Sequence, residues 1–278
     1  MVRQVGGSMI KVLVNGYLGR MGSEVVRTII QEDDMELAGG YEPVIPTKNV
    51  ERNGEVLAPA FNDLSCALAT VKPDVVIDFT TPQAVEDNIR VCITAGVSIV
   101  VGTTGLTPER LSLIEADIPE DTTVFVAPNF TTGAVLMMAF SELAAKFFPD
   151  AEVLEFHHNR KLDAPSGTAL TTARGIAAAR DAAGLSSHAP GKETESRGNE
   201  GARGALVQTV PVHAIRSNGF VASQEVIFGS PGQTLTIRHD SIDRSSYMPG
   251  VLLAIRFVAR GERHGLIVGL EKLMDLGI

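Results

Sequence analysis

Short apolar runs separated by amphipathic stretches set the pattern of the first half of the chain. Aliphatic and β-branched residues dominate Ile10–Asn15, Met35–Tyr41, Val75–Phe79, Val97–Val101 and Thr122–Ala127. Runs of this length that are apolar almost throughout fit strands buried on both faces. Between them, Arg20–Gln31 is amphipathic at helical spacing and Pro82–Ala95 opens on a proline. Thr107, Pro108 and Glu109 supply a helix cap followed by proline at the first helical position. Strand–helix alternation predicts an α/β domain with a doubly wound parallel sheet, because crossover helices must cover both apolar faces.

The pattern changes after Phe130. Val135, Leu136, Met138, Ala139 and Leu143 mark a helix that runs to Phe147. Glu152–His158 alternates as a strand, and helix formers fill Ala169–Ala183. Val212–Arg216, Phe220–Phe228 and Gln233–His239 then read as strands, separated by glycine-containing turns. Together these predict a smaller α+β domain with a mixed or antiparallel sheet. The polar stretch Gly184–Gly204 holds five glycines with Arg197 and Arg203, and predicts a mobile loop or lid. Tyr247–Arg260 predicts a helix that returns to the first domain, with Gly265–Leu276 closing it. The expected division is 1–129 with 242–278 against 130–241, and Met1–Ser8 is a polar extension before the first strand.

Composition narrows the function classes. The 278 residues are 44% apolar and 21% charged, as in ordinary globular proteins. No apolar run reaches the ~20 residues that cross a bilayer, and the N-terminus lacks a hydrophobic signal core. A cytoplasmic protein without a membrane partner is expected. A net charge of −9 argues against nucleic acid, which needs a basic field. Cys66 and Cys92 form neither a disulfide framework nor a metal spacing, and suit a reducing compartment.

Two clusters carry candidate chemistry. Gly16, Gly19 and Gly22 recur every third residue directly after the first strand, with Leu18 where the commoner dinucleotide turn has its middle glycine. Gly16 is expected to make the tight turn, Gly19 to let backbone approach a pyrophosphate, and Gly22 to let helix pack on strand. Arg20 and Met21 open the helix, where Arg20 adds positive charge for phosphates. Glu42, 20 residues beyond Gly22, ends the second strand where a carboxylate accepts from ribose hydroxyls. Phe79 and Thr80 follow one strand end, and Gly102, Thr103 and Thr104 another, at the edge where open α/β sheets bind ligands. They are expected to contact the same dinucleotide.

The second cluster packs His157, His158, Lys161 and Asp163 into seven residues. Alternation puts His157 on the face of Val153 and Glu155, and His158 on the face of Leu154 and Phe156. Adjacent histidines that point apart do not share a metal, and none is expected. Ser166, Gly167 and Thr168 cap the next helix and leave its first amides for an anion. Proton donors, a fixed cation and a helix start suit a small dianionic substrate. Beside a dinucleotide turn they predict a reductase.

These motifs resemble dihydrodipicolinate reductases, and the resemblance spans nearly the whole chain. It rests on the Gly16–Gly22 turn, Asp78-Phe79-Thr80, Gly102–Gly105, Pro128–Phe130, the long Glu155–Ala169 motif, Gly201–Gly204, His213 with Arg216, and Arg238–Arg244. It implies a Rossmann-like domain built from both chain ends, a central substrate domain whose sheets join into a homotetramer, and NAD(P)H-dependent reduction of a cyclic dicarboxylate imine. By motif position, His157 is the implied proton donor and Lys161 its charged partner near the ring. His158, Ser166, Gly167 and Thr168 are the implied carboxylate binders. Gly102, Thr104, Ala127, Asn129 and Phe130 are implied on the nicotinamide side. Two positions depart from the family pattern. Pro43 stands where a basic residue often follows the ribose-binding acid, which favours NADH over NADPH, although Lys48 or Arg20 can compensate. Arg160 replaces a histidine found in some members. The glycine turn alone also fits another small-substrate dehydrogenase, or a protein that senses NAD(H) without chemistry.

Overall fold

A computed structural model describes residues 9–185 and 201–276, so most of the predicted lid at 184–204 lies outside the described residues. The chain separates into two compact units. One runs to Phe130 and resumes over Tyr247–Asp275; the other takes Thr131–Ser246.

The first unit is built on an eight-stranded sheet. In chain order its strands are β1 (Ile10–Asn15), β2 (Met35–Tyr41), β3 (Asn49–Arg52), β4 (Glu55–Phe61), β5 (Val75–Asp78), β6 (Ser98–Val101) and β7 (Thr123–Val126), with one more from the C-terminal segment. All pairings are parallel except β3 with β4, whose hairpin turns through Asn53 and Gly54, both at positive φ. Every residue of β5 and β7 is buried, as apolar strands between two helical layers require. On one face α2 (Leu64–Val71), α3 (Val85–Thr94) and α4 (Pro108–Glu115) bury Leu68, Ile89 and Ile114 against Leu13, Val76, Ile99 and Val124. On the other, α1 (Arg20–Ile29) meets the helix of Met248–Arg260. The strand order runs outward from β1 in both directions, so the ends of β1 and β5 flank the switch point where such sheets bind ligands.

The second unit begins with α5 (Thr132–Ala145), β8 (Asp150–His157) and α6 (Gly167–Ala182). It continues through β9 (Ala205–Val207), β10 (Val210–Arg216), β11 (Ala222–Ser230) and β12 (Gln233–Ser241). Its five-stranded sheet has the order β12-β11-β8-β10-β9. Only β8 and β10 run parallel, so the sheet is mixed. Alanines 169, 173 and 177 along α6 let that helix approach Val153, Val212, Val226 and Phe228 closely. On the opposite face Leu154, Phe156 and Ile227 are only half-buried, with the Arg238 guanidinium 5.0 Å from the Phe156 ring centre.

The C-terminal segment completes the first unit. Helix α7 (Met248–Arg260) ends at Gly261, and β13 (Gly265–Val268) pairs with β7 at the sheet edge. Arg256 fastens α7 to the turn before β2, with Nε 2.8 Å from Asp34 Oδ2 and Nη2 2.5 Å from Glu32 Oε2.

Candidate active site

Two groups of residues stand out, one in each unit. In the first, β1 delivers the chain into the glycine turn. Gly16 has φ +78°, and a Cβ there would lie 2.5 Å from the Phe79 carbonyl. At Gly22 a Cβ would lie 2.0 Å from the Gly16 carbonyl, so helix and turn touch backbone to backbone. Gly19 is the N-cap of α1 and offers no side-chain cap, while Arg20 is exposed and Met21 half-buried in the first helical turn. The leading amides of α1 thus have no side-chain acceptor from the cap, the arrangement that suits a phosphate. Glu42 follows β2 and accepts the Leu18 N–H at 3.2 Å through Oε1, which ties the second strand to the turn.

The strand ends next to this turn are organised by one buried carboxylate. Asp78 is fully buried and takes Thr80 Oγ1 and Thr103 Oγ1 on Oδ1, each at 2.7 Å. Asn15 and Asn88 donate to Oδ2 at 3.2 and 2.8 Å. The Thr80 and Thr103 hydroxyls are engaged here, because a buried carboxylate must be satisfied internally, which leaves the backbone of these turns for a dinucleotide. Thr104 is exposed. Phe79 lies so close to Gly102 that a Cβ there would sit 2.1 Å from its ring. Phe130 packs in an aromatic chain, 5.9 Å from Phe79 and 6.1 Å from Phe125 between ring centres. Its ring is therefore core, and only the backbone of its turn remains for a ligand. Ala127 is buried and Asn129 half-buried beside it.

In the second unit the central residue is Glu155. Its side chain is fully buried between β8 and β10. Oε2 lies 2.6 Å from His157 Nδ1 and accepts Arg216 Nη1 at 2.7 Å; Oε1 accepts Arg216 Nη2 at 2.7 Å and the Ser166 N–H at 3.1 Å. Burial alone would push this carboxyl up, but the hydrogen bonds and charges of His157 and Arg216 outweigh it and hold its pKa at about 2. Glu155 is thus ionised and acceptor-only at neutral pH. The His157 nitrogen facing it must carry the proton, which leaves Nε2 as the nitrogen available to exchange one.

Around this pair, Ser166 caps α6 through Oγ to the Ala169 N–H, while Gly167 is exposed at the first helical position. Helix geometry leaves the amides of Gly167 and Thr168 without an acceptor inside the helix. Arg216 Nη2 also donates to the Asp163 carbonyl at 2.8 Å, which anchors the loop between β8 and α6. Lys161, the implied charged partner near the substrate ring, lies in the same loop. Its Nζ sits on the Asp163 carboxylate at 2.7 and 2.9 Å. His158 is exposed just past the end of β8. Among the described residues no group of three or more His, Cys, Asp or Glu side chains is placed to hold a metal ion.

Sequence reasoning passed over the roles of Asp78, Glu155 and Arg216. The alternation of β8 already put Glu155 beside His157. Arg216 was out of reach, because it lies 61 residues from Glu155 and meets it only through the parallel pairing of β8 with β10.

Family profiles for dihydrodipicolinate reductase match residues 10–130 with the N-terminal part and 133–274 with the C-terminal part. The chain belongs to the dihydrodipicolinate reductase family. A 4-hydroxy-tetrahydrodipicolinate reductase of Listeria welshimeri is 46% identical over 269 residues, covering 95% of this chain and all of the relative. A Mycobacterium protein of the same name is 48% identical, covering 96% and 99%. Among solved structures, a dipicolinate-bound dihydrodipicolinate reductase from Paenisporosarcina sp. TG-14 superposes with a TM-score of 0.82 at 40% identity, covering 96% of this chain and all of the other. An amine dehydrogenase of Mycobacterium smegmatis, at 14% identity and TM-score 0.65, shares the fold alone.

Proposed function

We propose that this chain reduces 4-hydroxy-tetrahydrodipicolinate to tetrahydrodipicolinate at the expense of a nicotinamide dinucleotide, in lysine and diaminopimelate biosynthesis. A hydride and a proton enter the ring, and the ring hydroxyl leaves as water. The dinucleotide supplies the hydride when bound; the α1 start, the Gly16–Gly22 turn and Glu42 suit its phosphates and adenosine ribose. In the second unit, His157 gives the proton from Nε2, Lys161 supplies positive charge, and His158 binds a substrate carboxylate. The amides of Gly167 and Thr168, with Ser166, take up substrate carboxylates. An acid and a cation near a ring that gains electron density stabilise the transition state more than the ground state.

The observation that carries this reading is the single buried carboxylate that holds both His157 and the start of α6. An acid and an anion-binding helix start kept in register by one group suit a charged ring. The dipicolinate bound by the Paenisporosarcina relative is such a compound.

Three finer points belong to the proposal. Glu42 followed by Pro43 favours NADH, since a carboxylate repels the 2′-phosphate of NADPH. The half-buried face of Leu154, Phe156 and Ile227 supports assembly of four copies through the second sheet. The two free cysteines suit a cytoplasmic setting.

The test couples the aldolase that makes the substrate to this protein and follows loss of NADH, then NADPH, absorbance. A higher kcat/KM with NADH is expected. His157→Gln should lower kcat by about 10²–10⁴ with little change in KM, the usual worth of a positioned acid. Near-normal turnover in that variant removes His157 from the role.

A further inference from the structure

We infer that Glu155, clamped by Arg216, is the positioning residue that fixes the proton of His157 on Nδ1 and turns Nε2 outward as the acid. The inference rests on the reading of His157 as proton donor, and adds what makes that histidine competent. A histidine side chain in water prefers its proton on Nε2; the neutral ring then presents an N–H where a base is needed once the proton has gone. An ionised carboxylate 2.6 Å from Nδ1 reverses that preference, because it can only accept a hydrogen bond and so holds the proton on that nitrogen. When Nε2 gives up its proton, the ring relaxes to the Nδ1–H form that Glu155 already binds.

The same carboxylate ties the acid to the substrate cradle. Oε1 holds the Ser166 N–H, and Arg216 holds both carboxylate oxygens and the Asp163 carbonyl. One group thereby sets the ring of His157, the start of α6 and the Lys161–Asp163 loop together. Arg216 keeps Glu155 from swinging away, since its fork fills the outer lone pairs of both oxygens. Strand register sets Arg216 of β10 and the neutral Ala222 of β11 opposite His157, and Gln224 of β11 opposite Glu155. Glu155 is the carboxylate on His157.

Glu155→Gln keeps the shape and removes the charge. Its amide oxygen suits Arg216 and Ser166, which aims the NH₂ at Nδ1 and drives the ring proton to Nε2. The expected result is a fall in kcat of about 10²–10³ with KM nearly unchanged, as for a histidine held in the wrong tautomer. Arg216→Lys keeps a charge without the fork, and should give a smaller loss with the tautomer unchanged.

The decisive measurement is ¹⁵N NMR of the full chain labelled at histidine, read on the neutral form of the His157 ring. Nδ1–H in the wild type and Nε2–H in Glu155→Gln are expected. An Nε2–H ring in the wild type overturns the inference, and needs no variant to fold. So does a Glu155→Gln enzyme whose tautomer and turnover both match the wild type. Loss of activity in His157→Gln together with an indifferent Glu155→Gln sinks the positioning role alone. Near-normal turnover in His157→Gln sinks the acid assignment on which it stands.

Discussion

Gly22 and Gly167 are both helical glycines in motifs legible from spacing, yet the structure gives them opposite tolerances. A Cβ at Gly22 would meet the Gly16 carbonyl at 2.0 Å, and neither partner is a flexible side-chain end. At Gly167 a Cβ would meet nothing within 4 Å. Gly22→Ala is therefore expected to cost about 1–3 kcal/mol through overpacking and to weaken NADH binding at least about tenfold, as the turn and the α1 start separate. Gly167→Ala should leave thermal stability and NADH affinity unchanged. Calorimetry and fluorescence titration of NADH check both, and equal effects of the two substitutions would refute the backbone contact. At this scale the sequence exposed residues whose meaning is local: the glycine triplet, His157, the Ser166 cap. Residues whose partners arrive from other strands stayed hidden. Asp78, which gathers the hydroxyls of Thr80 and Thr103 from two strand ends, is one of these.

At the scale of elements, long apolar strands were legible because parallel strands buried on both faces need no alternation to be recognised. The hairpin of β3 and β4 was not seen. β3 has Val50 as its one apolar residue and Pro59 interrupts β4, although Asn53-Gly54 is the turn pair that a two-residue hairpin demands. Helix α7 was foreseen, but not what fastens it. Arg256 bridges Glu32 and Asp34, and its hydrogen bond holds the Asp34 carboxyl below the ordinary range against the smaller opposing effect of burial. A lowered carboxyl contributes stability that is present above its unfolded value near 3.8 and lost as pH falls through the lower folded value. Arg256→Met keeps the stem and removes the charge. Because Asp34 is half exposed, the expected loss at pH 7 is only about 1 kcal/mol. The gap between variant and wild type should shrink as pH drops below that window. Urea titrations at pH 7 and at pH about 3 decide this, and an undiminished gap in acid would count against the ion pair.

For the whole molecule, the change of pattern near Phe130 and the return of the C-terminal segment were both legible. A net charge of −9 hides how unevenly the carboxylates are used: most sit in water, whereas Glu155 is fully buried and held by a guanidinium fork. Acid should therefore act on the second unit through this one residue more than through its surface. A pKa lowered from 4.5 to about 2 means that the folded state prefers the ionised form by about 3 kcal/mol. That contribution is complete above pH 4.5 and fades as pH falls toward 2. Stability measured at fixed protein concentration should drop across that window, and Glu155→Gln should flatten the drop while lowering the plateau at neutral pH, where the half-buried Arg216 keeps a neutral acceptor in place of a carboxylate. The two curves should converge in strong acid, because protonated Glu155 and glutamine are nearly the same shape. Parallel curves from pH 7 to pH 2 would mean that Glu155 is not charged in the folded protein. The fork of Arg216 would then have to be balanced by some other group.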